Sequence, residues 1–192
     1  MKLKPGVVAT HGPIKPEPQG RTLYSERKPW SEVWMEMAET MGARSKCSRA
    51  KIGCVIVGED QTVISAAYNG PPPGYHAADG DNTRCKDWCP RAQPDADHGN
   101  NYDNCVSNHA EANAVVRADW RRLRRATVYV NGSVCFSCAK LLAAAQVSQI
   151  VHIVNDESMH RDPDAVEKFL DDCSVIVFRI SSPQDRIDFE LG

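Results

Sequence analysis

The sequence predicts an α/β protein with a three-layer α/β/α fold around a central mixed sheet of about five strands. Short segments with strand character alternate with longer segments in which apolar side chains recur at helical spacing. Helical segments separate the later strands, so we expect these strands to lie parallel and to be joined by crossover helices. The 192 residues are the length of one domain, which can bury a core without disulfides.

The apolar pattern places each element in turn. A first helix is predicted at residues 30–44 with Ser31 as its N-cap, and strands at 52–57 and 63–68 flank a turn at 58–60. The remaining predicted elements are a helix at 110–125, a strand at 127–130, a helix at 135–146, a strand at 150–154, a helix at 164–172 and a strand at 175–180.

The chain, residues 1–192, is interpreted as a single domain that contains two irregular segments. Residues 1–28 are rich in Pro, Gly and Lys and are expected to form a flexible arm. Residues 70–108 lack periodicity and are too long for a plain connection, so we interpret them as a functional insertion loop. The sequence contains neither an N-terminal apolar signal segment nor a membrane-length apolar run, so we expect a cytoplasmic protein, or one of the host cytoplasm if the chain is viral.

Charge and cysteine content favour a small substrate and a metal. The net charge of −2 gives no general attraction for a nucleic-acid polymer. Eight cysteines are many for this length, and in a reducing compartment they indicate metal binding or core packing before disulfides. Cys54 and Cys173 lie in or just before predicted strands and are interpreted as core residues.

Three metal-ligating side chains and one carboxylate form the motif that carries the chemistry. His109 and Glu111 open one predicted helix, and Cys135 and Cys138 open the next. Side chains two apart on a helix diverge, so His109 and Glu111 can share a site only if His109 lies at the very start, with Asn108 as N-cap. One histidine and two thiolates leave the fourth position of a tetrahedral zinc for water, with Glu111 as proton shuttle. The buried stripe of the first of these helices is predicted to be Ala112, Val115, Val116 and Leu123.

Two simpler interpretations of this motif stay open. Asn108 and Glu111 have the spacing of a capping box, and the two cysteines could be core residues. A purely structural zinc is the other alternative, although such sites normally use four protein ligands. Both crossover helices should begin at the same edge of the sheet, where ligands bind, and helix N-termini favour thiolates. We therefore favour a catalytic zinc, with Cys135 and Cys138 both deprotonated.

Four segments carry a family resemblance, and they read RSKC leading into KIGCVIV, AYNGPPPG, NHAEANA and CFSCAKLL. From about residue 30 to residue 189 the chain resembles the deoxycytidylate (dCMP) deaminases of the zinc-dependent cytidine deaminase superfamily. The resemblance implies a cytidine deaminase-like fold and hydrolysis of dCMP, or a 5-substituted dCMP, to dUMP and ammonia. It implies that Glu111 is catalytic and that the zinc ligands are His109, Cys135 and Cys138.

The resemblance also implies contacts with a nucleotide. The Asn69 side chain matches an asparagine that contacts the sugar and phosphate region, and the backbone of Ala110 matches a contact with the pyrimidine edge. The Pro-rich stretch from Asn69 to Gly74 predicts a stiff turn with glycine freedom at both ends, although an ordinary loop would have the same composition. Relatives are homo-oligomers, commonly hexamers, and dCTP and dTTP are implied effectors, with Mg²⁺ beside the regulatory nucleotide.

Two positions depart from the family pattern. Val134 stands where the superfamily motif has a proline, which would fix φ ahead of the helix. Valine can occupy similar backbone space, so we expect less rigidity without loss of the metal. Relatives carry a tyrosine near the substrate where this chain has Met159, so no substrate contact is assigned to residues 157–161.

The remaining cysteines suggest a second, structural zinc inside the insertion loop. A loop without its own core gains order when a metal closes it, and some relatives carry an additional structural zinc here, with a cysteine that matches Cys47 as a ligand. The alternative is a loop that binds no metal. His11 and His152 lie in no recognisable constellation. The candidate ligands are Cys47, Cys85, Cys89, His98 and Cys105.

Basic residues offer the main alternative function. In a tRNA or DNA deaminase, an arginine face on the helix at 110–125 could track phosphates, although such a stripe is more often solvated or part of a subunit interface. A non-enzymatic zinc-binding module is a third class. The arginines predicted to share this face are Arg117, Arg121, Arg124 and Arg125, with Arg122 alongside.

Overall fold

A computed structural model describes residues 27–75, 83–93, 104–154 and 162–182. These residues form one mixed sheet of five strands in the order β2-β1-β3-β4-β5. Strand β1 runs antiparallel to β2 and to β3, whereas β3, β4 and β5 are parallel. The predicted fold class, including the parallel arrangement of the later strands, is confirmed. Within the described parts of the chain, no helix is both long and apolar enough to cross a membrane.

The strands lie within a few residues of their predicted bounds. They are β1 at Gly53–Val57, β2 at Val63–Tyr68, β3 at Thr127–Val130, β4 at Gln149–Ile153 and β5 at Ile176–Ile180. The helices are α1 at Trp30–Gly42, α2 at Cys85–Trp88, α3 at Ala110–Arg117, α4 at Trp120–Leu123, α5 at Phe136–Ala144 and α6 at Pro163–Asp172. A short 3₁₀ helix at Pro90–Ala92 follows α2.

Helices cover both faces of the sheet, which gives the three predicted layers. On one face α1 buries Met35 and Ala38 against a cluster that includes Val55 and Tyr129. On the other face α3, α5 and α6 pack against the opposite side of the same strands. A β-carbon at Gly53 would lie 1.8 Å from the carbonyl oxygen of Ala38, so α1 can pack this closely only against a glycine.

The predicted helix at 110–125 is wrong, because the structure breaks it into α3 and α4. Ala118 adopts an extended conformation, and Asp119 caps α4 by accepting a hydrogen bond from the N–H of Arg121 at 3.1 Å. The predicted apolar stripe also fails at Val116, which is 81% exposed. The buried side of α3 carries Glu111 and Asn113 instead, so its inner face is partly polar.

Three smaller predictions are also corrected. Pro29, and not Ser31, precedes the first turn of α1, and Ser31 is buried within that turn. His109 is the N-cap of α3, while Asn108 forms a bridge with Gly70 and donates to the side chain of Asn113. Cys173 is exposed after the end of α6 and is not a core residue, whereas Cys54 is fully buried as expected.

Strand topology brings the starts of α3 and α5 together. Because β1 is antiparallel to both β2 and β3, the latter two point the same way, and α3 is the crossover between them. Helix α5 leaves the carboxyl end of β3 as the next crossover, toward β4. Both helices therefore begin at the carboxyl edge of the strands, where α/β folds place their ligand sites.

Candidate active site

The side chains of His109, Cys135 and Cys138 converge at this edge. The Nδ1 atom of His109 lies 3.3 Å from Cys135 Sγ and 3.4 Å from Cys138 Sγ. Within the described ranges, these three residues form the one group of metal-ligating side chains whose ligand atoms all lie within 4.8 Å of one another. A tetrahedral zinc with ordinary bond lengths would hold nitrogen and sulfur about 3.6 Å apart. The nitrogen and sulfur donors and their separations therefore fit a zinc ion.

Helix starts explain how the sequence presents these ligands. His109 and Cys135 are the N-cap residues of α3 and α5, with extended backbone conformations, and neither side chain caps its own helix. Their side chains can therefore turn toward the space between the two helices. Cys138 lies in the first turn of α5 and is buried. Helix N-termini stabilise negative charge, which suits thiolate ligands.

Glu111 is buried beside the three ligands, with 2% of its surface exposed. It lies in the first turn of α3, and the Cys138 thiol is hydrogen-bonded to it and to Cys135. The capping-box interpretation does not fit, because Asn108 is not the N-cap of α3. A carboxylate buried next to a metal site is the arrangement that a proton shuttle requires.

A hydrogen bond between the two thiols shifts their pKa values in opposite directions. The hydrogen bond from Cys138 lowers the pKa of Cys135 to about 3. Burial by itself would raise the pKa of Cys135, and the hydrogen bond to His109 lowers it further. The hydrogen bond to Cys135 raises the pKa of Cys138, and burial and the charge of Glu111 raise it further. The prediction that both cysteines are deprotonated therefore requires a metal to displace the proton of Cys138.

Asn69 lies next to the site at the end of β2, and its side chain binds the segment before β1. Its Oδ1 accepts from the N–H of Ile52 and its Nδ2 donates to the carbonyl of Ala50, both at 2.9 Å. The carbonyl of Asn69 accepts a hydrogen bond from the Ser45 hydroxyl at 2.8 Å. An amide has two donor hydrogens and two lone pairs, and these two bonds use one of each.

The loop after Asn69 is anchored to helix α3 by Asn113. The Nδ2 atom of Asn113 donates to the carbonyls of Tyr68 and Gly70 at 3.0 and 3.3 Å. Gly74 has φ of +87°, as a glycine turn requires, whereas Gly70 is held by its bridge to Asn108. Ala110 is the first residue of α3, where a backbone N–H has no partner within the helix. The sequence pattern did not single out Asn113, although a polar residue on a buried helix face is a usable signal.

Four of the five candidate ligands of the second metal come together, and His98 lies outside the described residues. Burial raises the pKa of Cys85 to about 12, and the neighbouring thiols of Cys47 and Cys89 raise it further. Burial opposes ionisation of Cys89, but hydrogen bonds from two backbone amides and from the thiols of Cys85 and Cys105 bring its pKa below the ordinary value. Burial and Cys89 raise the pKa of Cys105. These four sulfurs are more widely spread than the ligands of the first group.

The arginines do not form the predicted continuous face. The break after α3 separates Arg117 from the others, Arg124 follows the end of α4, and Arg125 has a positive φ of 64°. Arg125 pairs with Glu59 at 2.7 Å, and Arg122 donates to the hydroxyl of Thr62 at 2.7 Å. In the described stretch from α3 to the residue after α4, the arginines therefore do not form a continuous helical stripe.

His152 does belong to a constellation, contrary to the sequence interpretation. It is buried on β4, and its Nδ1 accepts the N–H of Val134 at 3.3 Å. On its other side Nε2 faces the carboxylate of Glu167 at 3.4 Å. No local sequence signal connects these residues, because they come from three separate elements.

Known proteins share both the sequence pattern and the fold. The family model of the cytidine and deoxycytidylate deaminase zinc-binding region matches residues 28–154. A deoxycytidylate deaminase of Mycobacterium phage D29 is 36% identical over 131 residues, which cover 66% of this chain and 95% of that protein. The deoxycytidylate deaminase of Schizosaccharomyces pombe is 31% identical over 128 residues, which cover 66% of this chain and 37% of that protein.

A solved structure agrees at the level of fold. The dCMP deaminase from the cyanophage S-TIM5, in complex with dCMP and dUMP, superposes with a TM-score of 0.56 at 23% identity, covering 81% of this chain and 100% of that one. Its mixed sheet and helices match the architecture described above. With the family model covering most of the sheet and all three ligands of the site, this chain belongs to the cytidine and deoxycytidylate deaminase family, whose common region binds zinc.

Proposed function

We propose that this chain is a hydrolase that converts dCMP, or a 5-substituted dCMP, to dUMP and ammonia. The observation that carries the proposal is the group of His109, Cys135 and Cys138, with Glu111 buried against it at the carboxyl edge of the sheet. Relatives from a phage and a yeast that match this region are deoxycytidylate deaminases. Three protein ligands suit a zinc that keeps one position open for chemistry.

Proton transfer is the task of Glu111 in the proposed reaction. Zinc, when bound by the three ligands, lowers the pKa of water it holds toward ~7. Glu111 takes a proton from the attacking water and delivers it to ring nitrogen N3 as the new C4–O bond forms. It then carries the second proton to the amine as the C4–N bond breaks, so that ammonia leaves and the uracil ring remains. Burial keeps bulk water from competing for these protons.

The nucleotide is proposed to bind against the start of α3 and the loop that follows β2. The backbone of Ala110, at the first helical position, is the proposed partner of the pyrimidine edge. Asn69 is the proposed contact for the sugar and phosphate, through the donor and lone pair that its bonds to the backbone leave over. Asn113 supports this role because it fixes the loop that carries Asn69 to the helix that carries Glu111.

Ammonia release tests the substrate. The purified protein is assayed with cytidine, deoxycytidine, CMP, dCMP, 5-methyl-dCMP, dCTP and a cytosine-containing oligonucleotide, each with and without dCTP plus Mg²⁺. We expect the deoxynucleoside monophosphates to give the highest kcat/KM and Glu111→Gln to abolish the signal with every substrate. A preference for cytidine or for the oligonucleotide would overturn the substrate assignment, and zinc binding without any ammonia release would indicate a non-enzymatic module.

A second, structural zinc is proposed at Cys85, Cys89 and Cys105, with Cys47 or His98 as the fourth ligand. Support comes from the hydrogen bonds that connect Cys89 to Cys85 and Cys105, and from the nearness of Cys47 to Cys85 and Cys105. Metal analysis of the full chain should give two zinc ions. One zinc ion per chain, unchanged in Cys89→Ser, would remove the proposal.

The assembly and its regulation are proposed from the same family. We propose a single domain that forms homo-oligomers, with a hexamer favoured, responds to dCTP and dTTP, and binds Mg²⁺ with the regulatory nucleotide. The exposed apolar side chain of Trp120, at the start of α4, supports an interface between copies. The proposed location is the cytoplasm, or the host cytoplasm for a viral chain, because thiolate ligands persist in a reducing compartment. Light scattering with and without dCTP measures the assembly.

A further inference from the structure

The position before Cys135 poses a hydrogen-bonding problem that the usual motif lacks. The nucleobase deaminase signature has a proline directly before its first cysteine, and proline has no N–H. This chain has Val134 there, and only 1% of its surface is exposed. A buried backbone N–H without a partner is destabilising, so the valine introduces a donor that must find an acceptor.

His152 supplies that acceptor from the neighbouring strand. Its Nδ1 lies 3.3 Å from the N–H of Val134, and the imidazole is itself 1% exposed. An accepting Nδ1 places the proton of a neutral imidazole on Nε2. Nε2 faces the carboxylate of Glu167 at 3.4 Å, without the alignment of a hydrogen bond. Burial holds the pKa of His152 below its ordinary value, although Glu167 opposes the shift, and this favours the neutral, accepting form.

The turn between β3 and α5 is therefore fastened to the end of β4 through consecutive residues. Next to the bond of Val134, the hydroxyl of Ser133 donates to the carbonyl of Ile153 at 3.5 Å. The residue after Val134 is Cys135, the N-cap of α5 and a proposed zinc ligand. A displacement of this turn would move the Cys135 sulfur directly.

We propose that His152 is a positioning residue for the metal site, which holds the turn before Cys135 by a hydrogen bond where a proline would hold it by its ring. The inference rests on the proposed function of His109, Cys135 and Cys138 as a zinc site. His152 acts through Val134 and touches neither metal nor substrate. Its acceptor atom matters only while residue 134 has an N–H, which separates this role from simple packing.

A double-mutant comparison tests the coupling. His152→Phe keeps a buried ring but removes the acceptor, and His152→Asn places an amide oxygen near the position of Nδ1. Each change is made in the natural chain and in Val134→Pro, and the rate of zinc loss to a chromogenic chelator is measured. We expect His152→Phe to speed zinc loss about tenfold in the natural chain, and His152→Asn to restore most of the difference. In the Val134→Pro background His152→Phe should change the rate less than twofold.

Ile150→Ala provides the matched control, because Ile150 is buried on the same strand and makes no polar contact with the turn. It should lower thermal stability without a comparable change in zinc release.

Equal effects of His152→Phe in both backgrounds would overturn the inference and leave His152 a packing residue. If Val134→Pro does not fold, failure of His152→Asn to slow zinc loss relative to His152→Phe overturns it as well. A natural chain that binds zinc but releases no ammonia contradicts the proposed function and leaves this inference standing.

Discussion

Replacement of Asn113 by alanine should weaken the connection between helix α3 and the loop that follows β2, and so lower the free energy of unfolding by a measurable amount. Asn113 donates to the carbonyls of Tyr68 and Gly70 and accepts from Asn108, and it is buried. A neutral hydrogen bond contributes about 1 kcal/mol net. Two of the three bonds are long, at 3.3 Å, so the three together should contribute about 2 kcal/mol.

Two corrections set the expected value. The Gly70 carbonyl keeps a second bond at 2.9 Å from the N–H of Asn108, so it is not left without a partner. Alanine also forms helix better than asparagine, by up to ~0.7 kcal/mol. The free energy of unfolding of Asn113→Ala should therefore fall by roughly 1.5 kcal/mol. Asn113→Asp should lose more at neutral pH, because it replaces the donors with a carboxylate that faces the carbonyls of Tyr68 and Gly70.

Urea unfolding of the zinc-loaded protein measures these changes, and steady-state kinetics with dCMP measures their effect on the loop. Val116→Ala is the matched control, since Val116 lies on the same helix, is exposed, and gains the same kind of helix propensity. We expect KM to rise in Asn113→Ala more than kcat falls, because Glu111 stays in place. The reasoning is refuted if Asn113→Ala is as stable as Val116→Ala and has an unchanged KM.

Three further predictions concern the site itself. Glu111→Gln should keep its zinc and lose about 10²–10⁴-fold in kcat, and a near-normal kcat would contradict the proton shuttle. Cys138→Ala should lose the catalytic zinc, whereas Cys173→Ala should keep it. Zinc binding to the natural chain should release protons, because the pKa of the Cys138 thiol is raised, and calorimetry in two buffers with different ionisation enthalpies measures how many protons are released. In the folded protein the pKa of His152 lies below its ordinary 6.5, so its neutral form contributes to stability above about pH 6.5 and this contribution declines as the pH falls. The free energy of unfolding should therefore decrease less on acidification in His152→Phe than in the natural chain. Identical pH profiles of the two proteins would contradict this prediction.

The parts of the fold that depend on local pattern were predictable. Strand positions and the placement of His109 and Cys135 at helix starts follow from short-range periodicity and from the requirement that the metal ligands share one site. The break between α3 and α4 was missed because the apolar spacing of Val115 and Leu123 continues across it. Asp119 is a good N-cap residue in the middle of that stretch and could have indicated the new start.

The contacts that support the site were not predictable, because they depend on which elements become neighbours. His152 approaches Val134 only after β4 pairs with β3 in its observed register, with His152 opposite Val130. A shift by one residue would turn the imidazole to the other face of the sheet. Nothing near His152 in the sequence specifies that register, so a histidine in an apolar strand could not be given a partner.

The side chain of Asn69 holds part of the fold in place and is also the proposed contact for the nucleotide. Its amide ties the backbone of Ala50 and Ile52 to the end of β2, and this uses one of its two hydrogens and one of its two lone pairs. Removal of the amide would therefore disturb the segment before β1 and the proposed phosphate contact together.

A rise in KM in Asn69→Ala could come from either cause, so it cannot by itself identify a substrate contact. The informative comparison is Ser45→Ala, which removes two bonds of the neighbouring segment without touching the amide: the one that Ser45 donates to the carbonyl of Asn69 and the one that it accepts from the N–H of Cys47. If Asn69 contacts the nucleotide, its replacement must raise KM beyond the effect of Ser45→Ala at equal loss of stability, because only the amide can donate to a phosphate oxygen.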